Sequence, residues 1–262
     1  DFLLSKRNII IMEKPFPKSI EPTPIISASI EIRFDVNCPL DAVFGIVFNE
    51  LRKEYTEYEQ LPITTIPEQI RIQDGLIDQP HYRLYKKNSS LSILMGPKIF
   101  VFLYTKESLD GSEDYPGWTN SLSIELKKLY SILFSLNIIS KVNRLGIRCN
   151  DFFETINIFD YTEYNILNRN HDRKDLEKTQ IVQTIEKNGF VNNVVVSNNS
   201  NFISKGSIIK GSMIDIDSFT TDIKEDFSQN YEKYLNDCHE INKEFFYEML
   251  RKDFVDSLNS TY

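Results

Sequence analysis

Apolar and polar residues alternate along residues 26–34, with Ile26, Ala28, Ile30, Ile32 and Phe34 on one side and Ser27, Ser29, Glu31 and Arg33 on the other. A period of two predicts a half-buried strand. Ahead of it, Pro15, Pro17, Pro22 and Pro24 predict an extended lead-in over 13–24, because proline fixes φ and lacks an amide donor. Behind it, Pro39-Leu40-Asp41 opens a helix whose apolar stripe is Val43, Phe44, Val47, Phe48 and Leu51. Four short strands are expected over 66–72, 81–87, 91–95 and 98–104, broken by Asp74-Gly75, Asn88-Ser89-Ser90 and Gly96-Pro97. An acidic loop over 110–114 and then Tyr115-Pro116-Gly117 lead into a helix over 118–136, with Leu122, Leu126, Leu129, Leu133 and Leu136 along one face.

The order then repeats. Strands are expected over 145–153, 179–186, 190–197 and 207–219, with turns at Asn188-Gly189 and Asn198-Asn199-Ser200. The mixed, charged stretch 155–178 yields no helix. A closing helix over 224–252 has the stripe Phe227, Tyr231, Leu235, Cys238, Ile241, Phe245, Met249 and Leu250. The two opening strands also echo each other: Ser29-Ile30-Glu31-Ile32-Arg33-Phe34-Asp35 recurs loosely as Arg144-Leu145-Gly146-Ile147-Arg148-Cys149-Asn150-Asp151. A duplicated α+β unit is therefore expected, with halves at 22–139 and 140–256 forming one continuous unit, an N-terminal extension over 1–21 and a tail over 257–262. Two such halves would share one antiparallel, saddle-like sheet with both long helices on one face. This element order, β-α-β(3–4)-α twice, resembles TATA-binding-protein-like folds, and a shared order carries no function.

Composition narrows the possibilities. The 262 residues are 41% hydrophobic and 26% charged, rich enough in apolar residues to fold rather than stay disordered. Nine glycines argue against a phosphate-cradling loop. Lys and Arg total 30 against 38 Asp and Glu, a net charge of -8 that disfavours general nucleic-acid binding. Cys38, Cys149 and Cys238 stand far apart, which fits reduced thiols of a cytoplasmic protein. No apolar run reaches the ~20 residues of a membrane helix. Residues 1–11 precede Met12, differ in character from the rest of the chain and are expected to be vector-derived or upstream residues without a functional role.

Several phrases together resemble a sporadically distributed family of bacterial and archaeal proteins of about this length, without an established function. They are Ser29-Ile30-Glu31-Ile32-Arg33-Phe34, Ile66-Pro67-Glu68-Gln69-Ile70-Arg71, Gly96-Pro97, Tyr115-Pro116-Gly117-Trp118 and Arg144-Leu145-Gly146-Ile147-Arg148. The resemblance spans about residues 22–250 and brings no catalytic residue. Patchy distribution is common among mobile defence and toxin–antitoxin genes, and that association is all it implies.

Candidate sites are few. Arg33 and Arg148 occupy matching places in the echo, either as guanidiniums offered to a carboxylate, phosphate or partner loop, or as structural arginines that stitch strands; the second is preferred. Asp215 and Asp217, with Asp222, Glu225 and Asp226, could suggest a cation site, against which stands a solvated strand followed by an acidic helix start. Cys238-His239 are adjacent on a helix and so point about 100° apart, which makes no nucleophile–base pair. His81 and His171 lack ligand-spaced companions. No Walker, GxSxG or HExxH motif occurs. Trp118 is either a partner anchor or the residue that closes its loop onto the sheet. The leading expectation is a non-catalytic protein-interaction module without cofactor or metal, an antitoxin or accessory subunit of a prokaryotic defence system. Its partner would be another protein, with a homo-oligomer also open, and Arg33, Arg148, Trp118, Tyr82 and Tyr85 would be its contacts. The alternative is nucleic-acid binding on the concave sheet face through Arg33, Arg148, Arg71, Arg83 and Lys86, with Tyr82 and Tyr85 stacking on bases. A small-nucleotide or phosphoester enzyme built on Arg33, Glu31 and Asp217 is a remote third.

Overall fold

A computed structural model describes residues 16–107, 109, 115–164, 178–224 and 226–262. It is an α+β protein built on one open, antiparallel sheet of nine strands. In chain order these are β1 (Ile25–Val36), β2 (Glu57–Gln60), β3 (Tyr82–Tyr85), β4 (Leu91–Gly96), β5 (Ile99–Thr105), β6 (Ile139–Glu154), β7 (Gln180–Lys187), β8 (Phe190–Ser204) and β9 (Ser207–Thr220). Their spatial order is β2-β3-β4-β5-β1-β6-β9-β8-β7. Strands β1 and β6, which carry the two echoing phrases, pair with each other in the middle: Ile30 lies opposite Ile147, Glu31 opposite Gly146 and Arg33 opposite Arg144.

The alternation in β1 decides the layers. Ala28, Ile30, Ile32 and Phe34 are all buried on one face. Across the sheet that face continues through Phe102 and Ile93 on one side and through Ile147 and Ser218 on the other. The helices α1 (Ala42–Leu51), α3 (Ser123–Ser135) and α4 (Phe227–Met249) cover it, and the shorter α2 (Glu68–Gln73) and α5 (Lys252–Ser257) lie between and after them in the chain. Tyr130 of α3 meets Phe100 of β5 and Tyr231 of α4 edge-on, so both long helices share one core on one face. Phe44 of α1 stacks on Tyr82 at 3.7 Å. The amide of Asn242, buried in α4, donates to the carbonyls of Ile147 and Ile216 and to Ser218 Oγ, fixing the helix across β6 and β9.

Several expectations need correction. Residues 66–72 form no strand: α2 starts after Pro67, with Glu68 in its first turn, and Ile70 and Ile72 are exposed. Alternate isoleucines there imitate a strand, while Ile66 and Ile70 also fit a helical spacing of four. Strand β2 went unseen because Glu57, Tyr58, Glu59 and Gln60 are all exposed and carry no alternation. The closing helix breaks at Leu250, which is extended and bridges Thr162, before α5 begins. The lead-in and the tail pair with each other: Lys18 N donates to Thr261 O, and Thr261 N to Ser19 O. Residues 1–11, the acidic loop 110–114, His171 and Glu225 lie outside the described residues. Among the described residues no helix is long and apolar enough to cross a membrane.

Candidate functional site

The face of the sheet opposite the helices carries a compact ion-pair network. Side chains at Glu31, Arg33, Arg144, Arg148, Asp215 and Asp217 share this face because each is one residue out of phase with the buried set. Arg144 is the hub. Its guanidinium donates to Glu31 Oε1 at 2.5 Å and to both oxygens of Asp217 at 3.1 and 3.2 Å, and it lies over the Phe219 ring at 4.3 Å. Gly146 makes this crossing possible, since a Cβ there would sit 2.8 Å from Arg144 Nη1 and 3.0 Å from Phe219 Cβ. Arg33 donates to the same Glu31 oxygen at 2.7 Å, and Arg148 grips Asp215 with two bonds of 2.8 and 2.5 Å. Burial pushes the Asp217 carboxyl above its usual range even with Arg144 beside it.

Three guanidiniums against three carboxylates leave this network neutral. Asp215 and Asp217 do face the same way, as alternate strand residues must, but they pair with arginines rather than converging on a metal-ion site. Among the described residues no group of three or more His, Cys, Asp or Glu is placed to hold a metal ion. The remaining cations of the nucleic-acid reading are also engaged: Arg83 with Glu59 at 3.6 Å, Lys86 with Glu125 at 2.9 Å, and Arg71 with His81 Nδ1 at 3.1 Å. Because Arg71 donates to Nδ1, the His81 ring holds its proton on Nε2, directed at the Leu76 carbonyl, and burial lowers its pKa. Tyr82 and Tyr85 do not share a face. Tyr82 packs under α1, while Tyr85 has the Arg83 guanidinium 5.6 Å from its ring centroid.

The network's hub gives a first expected result. Arg144→Ala should cost about 2–4 kcal/mol in urea unfolding, because Asp217 would be left largely buried without its hydrogen-bonded cation and Glu31 would keep only Arg33. Arg33→Ala, whose side chain is 37% exposed, should cost under about 1 kcal/mol. Equal losses would show that Arg144 is not the hub.

A second feature lies on the helix face. A cavity of about 600 Å³ sits over the central β1–β6 pair, with Ala28, Ile30, Ile147, Cys149 and Asp151 as its floor. Tyr115, Gly117 and Trp118 wall one side, where the chain enters α3. Opposite them α4 contributes His239, Asn242, Lys243, Phe246 and Tyr247, one stripe at helical spacing. Residues 18–25 of the lead-in close a further side. Trp118 stacks flat on His239, with centroids 4.4 Å apart and planes 5° apart, and the Nδ1 atom of His239 lies 3.2 Å from Glu240 Oε1. Cys238, next along α4, points instead to the sheet and donates to Ser218 O. Burial pushes its thiol up to about 12, so it is an inert core residue.

Asp151 is the residue that sequence reasoning passed over. It comes two residues after Cys149 on the helix face of β6, where an apolar side chain would be expected, and it is only 3% exposed. No described side chain or backbone group hydrogen-bonds or ion-pairs with its carboxyl. Burial, and secondarily the charge of Asp215, pushes its pKa up to about 8. In the sequence it merely ended the second echo, with nothing to mark it as buried. All three cysteines are free thiols.

No protein-family profile, no curated protein and no solved structure matches this chain.

Proposed function

We propose that this chain is a protein-interaction module that accepts an extended segment of a partner along the outer edge of β7. The observation that carries this is the contrast between the two edges of the sheet. Strand β2 is four residues long with two glutamates, a short, charged edge of the kind that resists further pairing. Strand β7 is eight residues long; its first six, Gln180 to Ile185, carry no charge, and Val182 is 64% exposed. An added strand would gain main-chain hydrogen bonds along β7 and an apolar contact at Val182. The chain's net charge of -8 favours a basic partner segment. Native co-purification tests this: Val182→Lys should lose the partner while the melting temperature stays unchanged. A wild-type chain that emerges alone, or a partner retained by the Lys variant, would refute it.

Two finer readings belong to the same proposal. The setting in an antitoxin or accessory subunit of a defence system rests on the phrases shared with a patchily distributed family. The duplicated, TATA-binding-protein-like arrangement is supported by the strand order, which puts β2–β5 on one side of the β1–β6 pair and β7–β9 on the other. Superposing residues 26–136 on 144–252, with Ile32-Arg33 on Ile147-Arg148, tests that arrangement.

A further inference from the structure

We propose that the cavity between the approach to α3 and the middle of α4 binds a small organic ammonium ion, with Asp151 as its counter-ion and Tyr115, Trp118 and Tyr247 as its aromatic walls. This is independent of the edge-docking reading, since β7 contributes nothing to the cavity.

Asp151 is the starting point. A carboxyl buried without a partner is a cost that the fold itself does not require, because an apolar residue at this strand position would pack on the same helices. Such a group in a cavity is more readily explained by a ligand that completes it. The sign of that ligand comes from the walls. Aromatic faces present negative charge and attract cations, and a carboxylate does the same. An anion would be repelled by both. Glu21 and Glu240 also line the cavity, so three carboxyl groups face two lysines. Of those lysines, Lys18 is already bonded to the carbonyl of Tyr262 at 3.2 Å, and neither it nor Lys243 pairs with Asp151.

Size and polarity agree. About 600 Å³ lies within the usual range of small-ligand cavities, roughly 300–1,000 Å³. A hydrated metal ion would want several oxygen ligands at once, and Asp151 is the one carboxyl of the floor. An alkylammonium ion needs only a single counter-charge and apolar or aromatic surroundings for its carbons. The raised pKa of Asp151 adds a signature: a bound cation favours the ionised carboxyl, so binding near neutral pH should expel a proton. Tyr115, Tyr247 and Cys149, which face Asp151, are pushed upward by burial and stay protonated there. His239, Glu240 and Lys243 from α4, with Lys18 and Glu21 from the lead-in, complete the titratable lining.

Calorimetric titration of the full chain with choline and with n-butylamine, each against its uncharged carbon isostere (neohexanol for choline), tests the assignment. At least one cation should bind about tenfold or more tighter than its isostere. Asp151→Asn should erase that preference without weakening the isostere, and Trp118→Leu should weaken the cation while the carboxyl remains. Heats measured near neutral pH in buffers of different ionisation enthalpy should show close to one proton released per ion bound by the wild type and none by the Asn variant. If neither cation saturates the protein, if the isosteres bind equally well, or if the Asn variant keeps the preference, the assignment is wrong. Because Asn nearly matches the shape of a protonated Asp, a single cooperative melting transition no lower than that of the wild type will show that the variant is folded.

Discussion

Replacing Asp151 with Asn should make the protein more stable above neutral pH and should remove a decline in stability that the wild type shows between about pH 4 and pH 8. An unfolded Asp titrates near 3.9. In the folded chain burial, aided by Asp215, raises the Asp151 value to about 8. Between those limits the folded state keeps a proton that the unfolded state has released. Stability from this group is therefore full below the unfolded value, falls as pH rises through the window, and levels off above about 8. Each unit of displacement corresponds to about 1.4 kcal/mol, so the whole decline is several kcal/mol, a large part of a typical folding free energy. Asn cannot titrate and should trace a curve without this component. His239, Glu240 and Lys243 on α4, Lys18 and Glu21 in the lead-in, and Tyr115, Tyr247 and Cys149 are the same in both proteins. The difference between the two curves therefore isolates Asp151. Urea unfolding at about pH 5 and pH 9 suffices: parallel curves for the two proteins would mean that the carboxyl is solvated or paired after all.

Much of the architecture was visible in residue order because it depends on local patterns. Ile26 to Phe34 alternates, and β1 runs from Ile25 to Val36. Leu122, Leu126, Leu129 and Leu133 repeat at helical spacing, and all four are buried. Where tertiary context decides, the pattern failed. Strand β2 is exposed along its whole length and shows no alternation, and Ile66, Ile70 and Ile72 serve two periodicities at once. The chemistry was harder still. Arg33 and Arg148 drew notice as matching members of an echo, yet the hub is Arg144, and its role depends on Gly146 leaving room and on Glu31 and Asp217 lying 113 and 73 residues away. Asp151 is unusual only because of its surroundings. Tyr115 and Tyr247 reach it from the approach to α3 and from α4, and no spacing in one chain segment encodes that.

Replacing Ile147 with Asp should unfold the entire chain rather than loosen one half. Ile147 is 1% exposed, opposite Ile30 at the centre of the β1–β6 ladder, with α4 fastened above its carbonyl by Asn242. Asp at this position would set a second carboxyl group beside Asp151 on the cavity floor, and the core would also lose an aliphatic side chain. Together these should cost about 4 kcal/mol or more. Strands from both sides of the sheet meet at this ladder, and the rings of α3 and α4 interlock behind it, so the loss should reach β2–β5 as well as β7–β9. Trp118 is a suitable probe: it is the only tryptophan of the chain and stacks on His239 across the gap between the α3 approach and α4. Its fluorescence and the far-UV circular dichroism should fall in one transition, at much lower urea than in the wild type. Val182→Lys, on the exposed edge, should change stability by no more than about 0.5 kcal/mol. A variant at Ile147 that kept residues 25–105 protected from hydrogen exchange would show that the first half folds without the second. The central ladder would then be an interface between two independent units, not the middle of a single core.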